Sequence, residues 1–139
     1  MINMKLLSVV TPLSIYHMEY YTMRLCPANQ YITTIVTGFG RFGYNRHPMG
    51  MCASVDIFQY KVDELLVDIS GVKTHIDDIL VLNRDSFENH IECLRIIFGR
   101  LRAAGLQVNL HKCSFGLKEI PYLGYVITRE GIKPDPKKV

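Results

Sequence analysis

The sequence predicts an α+β fold: a largely antiparallel sheet with two helices packed on one face. Three observations lead there. Two segments carry apolar residues at helical spacing, with Ile57, Phe58, Val62, Leu65, Leu66 and Ile69 in the first and Ile91, Leu94, Phe98 and Leu101 in the second. Between them, residues 72–82 set two adjacent aspartates, Asp77 and Asp78, between short apolar runs, the pattern of a tight hairpin with the acids at its bend. On either side of this core lie short β-branched or aromatic runs punctuated by Gly, Pro and Asn, which read as strands and turns.

The elements follow in order. Residues 20–25 alternate well enough for a strand, and Cys26-Pro27-Ala28-Asn29-Gln30 breaks it. Residues 31–37 are rich in β-branched side chains and predict the next strand. Gly38-Phe39-Gly40-Arg41-Phe42-Gly43 formally matches GxGxxG, but a dinucleotide loop must open a helix, and here Tyr44, Asn45, Arg46, His47 and Pro48 follow. That stretch reads as a hairpin and loop. Ser54 is the N-cap expected for the first helix, and Gly71 stands just past its end. The second helix starts after Asp85 or Ser86, with Glu88 placed to complete a capping box on Asp85, and Gly105 ends it. Residues 106–109 and 122–128 read as further strands, the latter turning at Arg129-Glu130-Gly131.

At 139 residues, with 48% hydrophobic and 21% charged residues, the chain is one globular domain's worth of sequence rather than a disordered segment. The net charge of +3 conceals a division along the chain. Residues 1–50 carry four bases and one acid, residues 51–100 five bases and nine acids, and residues 101–139 seven bases and three acids. An acidic middle between basic ends suits a metal-holding centre flanked by phosphate contacts, and equally a helix with a solvated acidic face. The four cysteines form no CxxC and the five histidines are scattered, so neither a zinc site nor a disulfide framework is expected, and a reduced, intracellular setting is. No run approaches the length of a membrane span, and the opening residues lack the cleavage site of a signal peptide.

Asp77 and Asp78 are the candidate chemistry. Two carboxylates fixed at a turn repel each other unless a cation or base relieves them. Polymerases use such a pair to hold divalent metal, whereas the plainer alternative is a pair of polar turn residues.

Six ordered blocks between Met18 and the C-terminus resemble the palm of a reverse transcriptase, most closely that of gypsy-type long-terminal-repeat retrotransposon polyproteins. Tyr20-Tyr21-Thr22-Met23-Arg24-Leu25 resembles the strand after that family's first catalytic aspartate. Phe39-Gly40-Arg41-Phe42-Gly43-Tyr44 with Pro48-Met49-Gly50 resembles the hairpin and loop over the incoming nucleotide. Asp56-Ile57-Phe58-Gln59 resembles the opening of the helix behind it, and His75-Ile76-Asp77-Asp78 the acidic turn. Leu101-Arg102-Ala103-Ala104-Gly105-Leu106 with Asn109 and Lys112-Cys113 resembles the next helix and loop. Tyr122-Leu123-Gly124-Tyr125 with Gly131-Ile132-Lys133-Pro134 resembles the hairpin that grips the primer.

The resemblance implies a polymerase palm-like fold over residues 18–139, with residues 1–17 a divergent segment outside the family's pattern. It also implies phosphoryl transfer from an incoming dNTP to a primer 3′-hydroxyl on an RNA or DNA template, with two Mg²⁺ (or Mn²⁺) ions roughly 3.5–4 Å apart. Asp77 and Asp78 are then the catalytic metal ligands. Tyr20, Met49, Gly50 and Lys112 belong to the nucleotide, and His75, Leu123 and Gly124 to the primer-template. Virus-like particles, other polyprotein domains as partners, and no membrane complete the expectation.

The departures from the pattern matter as much. Five residues before Tyr20, where the family places its first catalytic aspartate, stands Ile15, in an approach (Ser14-Ile15-Tyr16-His17-Met18-Glu19) that keeps only Met18 of the expected pattern. Isoleucine offers magnesium no oxygen, so any ion is expected to bind weakly. His75 replaces the tyrosine of the acidic turn, His47 a leucine, and Gly38 and Val55 prolines. Nothing in the chain matches fingers or thumb. The expectation is a fragment of an RNA-directed DNA polymerase, inactive alone. A non-catalytic α+β module that binds nucleic acid or protein is the alternative.

Overall fold

The computed structural model describes residues 9–15, 19–83, 86–128 and 131–136. Its centre is a three-stranded antiparallel sheet of β1 (Val9–Ser14), β4 (Val72–His75) and β5 (Asp78–Asn83), in the order β1-β5-β4. Two helices, α1 (Cys52–Leu66) and α2 (Phe87–Ala103), bridge the sequence between these strands and the rest. A hairpin of β2 (Ile35–Thr37) and β3 (Gly40–Phe42) precedes α1. A second three-stranded antiparallel sheet, β6 (Glu119–Tyr122), β7 (Tyr125–Thr128) and β8 (Gly131–Pro134), closes the chain.

Alternation along β1 and β5 sorts the core into two layers. Leu13 and Ile15, with Ile79 and Val81 across from β1, face the helices and meet Phe58, Val62 and Leu66 of α1 and Leu94, Ile97 and Leu101 of α2. Val10 and Leu80 face the other way and meet Ile120, with Leu82, Leu117 and Ile127 around them. The α+β architecture with both helices on one face of the central sheet is as the sequence predicts. The second sheet covers the opposite face.

Local details differ from expectation for identifiable reasons. Residues 20–25 do not form a strand. Glu19–Thr22 is a 3₁₀ turn, and the Arg46 guanidinium donates to the carbonyls of Tyr21 (3.0 Å) and Thr22 (2.8 Å), satisfying acceptors a strand neighbour would have taken. Pro27–Thr33 is also 3₁₀, which shortens the expected strand at 31–37 to β2. Ser54 lies inside α1, not at its cap, which is Met51; its hydroxyl donates to Pro48 O (3.1 Å) and contacts His47 Nδ1 (3.3 Å). Ser86 caps α2, accepting from Asn89 N at 3.2 Å, while Asp85 lies outside the described residues. The buried face of α2 is His90, Cys93, Leu94, Ile97 and Leu101, rotated from the predicted stripe, so that Ile91 is exposed. Residues 106–109 make one bridge, Val108 to Ile15, rather than a strand. Residues 122–128 divide at a turn on Leu123 and Gly124, and Arg129 and Glu130 lie outside the described residues, as does Met18.

Candidate active site

The acidic pair sits where its sequence places it. β4 and β5 pair with His75 opposite Asp78, leaving Ile76 and Asp77 as a two-residue turn. The backbone φ is positive at Ile76 (53°), as the first position of a type II′ turn demands. A β-branched residue in that region is strained. Three side chains from α1 and β4 surround it: Gln59 Oε1 accepts from Ile76 N, Gln59 Nε2 donates to Thr74 Oγ1 (3.1 Å) and to Asp63 Oδ1 (2.8 Å), and the Thr74 hydroxyl donates to Asp63. Gly71, at φ +78°, immediately precedes β4; a Cβ there would collide with the Leu82 carbonyl oxygen, and Leu82 N already donates to Gly71 O at 2.8 Å.

The open end of β1 lies against this turn. Ser14 pairs with Asp78, and the next amide, Ile15 N, donates to Asp77 O at 2.7 Å. The register therefore puts position 15 across from Asp77. The Ile15 side chain is 1% exposed and packed in the helix-side core. Asn109 N donates to Ser14 O at 2.8 Å, which starts the short 3₁₀ helix Leu110–Lys112 beside the same strand end. Lys112 is exposed at the end of that helix.

Two tyrosines report the electrostatics. Tyr20 is buried, edge-on to Phe58 with ring centroids 5.2 Å apart, and its phenol is pushed up by burial and then by the charge of Asp77. Tyr122 is pushed up by burial and then by Asp78. The turn thus brings Asp77 toward Tyr20 and Asp78 toward the β6–β7 hairpin. At the tip of that hairpin Leu123 (φ 47°) and Gly124 (φ 84°) are both left-handed, the signs of a type I′ turn. Gly50 is also left-handed (φ 88°), with open space where a Cβ would be, and Met49 beside it is exposed. His75, at the end of β4, is exposed.

The structure brings Asp77, Asp78, position 15 and Tyr20 together, and sets Tyr122 and the Leu123–Gly124 hairpin on the Asp78 side. Met49 and Gly50 are carried separately, on the loop before α1, and Lys112 on the 3₁₀ helix. Sequence reasoning missed Gln59, Asp63 and Thr74 as neighbours of the turn; the helical i, i+4 spacing of Gln59 and Asp63 was the available signal. Among the described residues no three His, Cys, Asp or Glu side chains come together to hold an ion. Among the described residues no third carboxylate is grouped with Asp77 and Asp78, and the residue across from Asp77 is an isoleucine. Two carboxylates, the donor set among the described residues, do not fit a two-ion centre.

A family model described as reverse transcriptase (RNA-dependent DNA polymerase) matches residues 6–127, a span that includes the acidic turn. The chain belongs to the reverse transcriptase family. It is 38% identical over 109 residues to the retrovirus-related Pol polyprotein from transposon opus of Drosophila melanogaster, covering 77% of this chain and 11% of that protein. It is 25% identical over 122 residues to the Pol polyprotein from transposon gypsy of the same organism, covering 86% of this chain and 12% of that one. This reverse transcriptase segment thus spans about a tenth of the length of these relatives. Among solved structures, the foamy viral protease-reverse transcriptase in complex with double-stranded DNA superposes with a TM-score of 0.81 at 24% identity, over 93% of this chain and 22% of that one. That likeness concerns the fold. Among the described residues no helix is long and apolar enough to cross a membrane.

Proposed function

We propose that this chain is the palm segment of a retrotransposon reverse transcriptase whose polymerase centre has lost its first carboxylate and no longer extends primers. The observation that carries the reading is Ile15, which stands across from Asp77 with its side chain in the core. In a working centre the primer 3′-hydroxyl attacks the innermost phosphorus of a dNTP, and pyrophosphate leaves. Bound divalent ions supply the charge for that displacement. Asp77 and Asp78 keep oxygens for one Mg²⁺ or Mn²⁺ ion, weakly held. Tyr20, Met49, Gly50 and Lys112 make the nucleotide side of the palm. His75, Leu123 and Gly124 make the primer-template side, with other polyprotein domains around them.

Misplacing reacting groups by about 1 Å already costs on the order of a hundredfold in rate, so loss of a ligand leaves no measurable turnover. The test replaces the matching segment of the opus polyprotein by residues 9–136 of this chain and measures primer extension on an RNA template with Mg²⁺ or Mn²⁺. No extension is expected from that chimera, and partial recovery from its Ile15→Asp version. Extension by the unmodified chimera that Asp77→Ala abolishes overturns the proposal.

A second reading has its own observation. The β2–β3 hairpin region exposes Tyr31, Val36, Phe39 and Phe42, with Phe39 98% exposed, and residues 20–55 hold three arginines and no acid. Such a surface suits a non-catalytic module that binds nucleic acid, and its binding would weaken steeply with salt.

A further inference from the structure

We infer that Gln59 is the positioning residue of the acidic turn, its amide orientation set by Asp63 and Thr74. The inference rests on reading Asp77 and Asp78 as a weak cation site, and it adds what aims them. The Ile76 N–H can only donate and the Asp63 carboxylate can only accept, so the Gln59 amide has one orientation that serves both: oxygen toward the turn, nitrogen toward Asp63. Thr74, on the neighbouring strand, closes the bracket by accepting from Gln59 and donating to Asp63. Both polar atoms of the Gln59 amide are thereby used, and the three side chains come from two elements, α1 and β4.

The turn needs such a hold. Ile76 occupies a left-handed backbone position that glycine takes without strain and isoleucine resists. Relaxing φ of Ile76 would turn the His75–Ile76 peptide against the Ile76–Asp77 peptide and re-aim the two carboxylates that follow. Gln59 holds the first of those two peptides through the Ile76 N–H. Because α1 also carries Phe58, packed on Tyr20, the same helix sets the positions of the acidic turn and of the ring facing Asp77.

The experiment exchanges the two functional groups. Gln59→Glu leaves an acceptor for Ile76 but sets two carboxylates against each other; Gln59→Glu with Asp63→Asn restores a donor to that pair at unchanged net charge. Amide hydrogen exchange followed by NMR should show Ile76 exchanging about tenfold faster in Gln59→Glu, the ratio expected for losing one hydrogen bond of ordinary net strength. Leu80 and Val81 should keep their protection, and the double variant should recover most of that of Ile76. Broadening of the Asp77 and Asp78 amide signals by added Mn²⁺ should weaken in Gln59→Glu and return in the double variant. Unchanged Ile76 exchange in Gln59→Glu, or no recovery in the double variant, overturns the inference. Mn²⁺ broadening that is equal in the parent and in Asp77→Ala overturns instead the cation reading of the pair, and the Ile76 exchange still decides the role of Gln59.

Discussion

Asp68 and Arg100 show what single residues contribute outside the acidic turn. Arg100, from the last turn of α2, donates to Leu65 O (2.8 Å) and pairs with both oxygens of Asp68, just beyond the end of α1. That hydrogen bond holds the Asp68 carboxyl down at about 2, against an ordinary 3.8. A depressed carboxylate stabilises the fold fully above its unfolded value and loses that contribution as the pH falls through the folded one. Urea midpoints of the parent and of Asp68→Asn should therefore differ at pH 6 and converge as the pH falls from 3.8 toward 2. The pair is solvent-exposed, so the difference is small and shrinks with salt. The residues of the acidic turn were legible because Asp at a bend between apolar runs has a local cause. Ser54 was not, since its hydroxyl answers to His47 and Pro48 across a loop. Nor was His90, buried between Thr11 Oγ1 and Asn83 Oδ1, each 2.8 Å from a ring nitrogen; no local pattern brings those strands to it.

Elements with a local period were readable, and elements fixed by distant partners were not. Both helices follow from apolar spacing, although the true stripe of α2 includes His90 and Cys93, which hydrophobicity alone leaves out. The 3₁₀ turn at Glu19–Thr22 was hidden because its carbonyls are capped by Arg46, more than twenty residues away. The β4–β5 hairpin owes its register to both ends: the Ile76–Asp77 turn at one and Gly71 at the other. Gly71→Ala has two faults, a left-handed backbone and a Cβ driven into the Leu82 carbonyl. It should cost more than about 2 kcal/mol in chemical denaturation, because the clash is with backbone of the paired strand β5, to which Gly71 is tied by the Leu82 N–H. Gly50→Ala, equally left-handed but in open space, should cost only about 1 kcal/mol.

At the scale of the whole molecule, two sheets and a helical layer enclose β1 and β5, so that the central strands are buried on both faces. The layer order was legible for the helices and not for the second sheet, whose docking depends on Val10 and Leu117 exchanging backbone hydrogen bonds (3.0 and 2.9 Å) over a hundred residues apart. The count along the chain singled out position 15; that its side chain is packed in the helix-side core was not legible. Ile15→Asp puts a carboxylate into a site that is now 1% exposed and apolar. It should lower stability by more than about 3 kcal/mol in metal-free buffer, and millimolar Mn²⁺ should return part of that loss in a thermal melt. An unchanged melting temperature would mean that the side chain escapes to solvent at no cost.

On the function proposed above, the burial of Ile15 makes the change from aspartate a ratchet. A carboxylate at this position, as the proposed function has it, would serve catalysis while its charge burdened the fold. As isoleucine it is a working part of the interior, in contact with the layer that both helices complete. On that reading, a single return to aspartate carries the packing loss at once, whereas the catalytic benefit is only partial and waits on the rest of the centre. The way back therefore runs through neighbours first: a smaller or more polar surrounding at Leu13, Ile79 or Val108, and only then the acid.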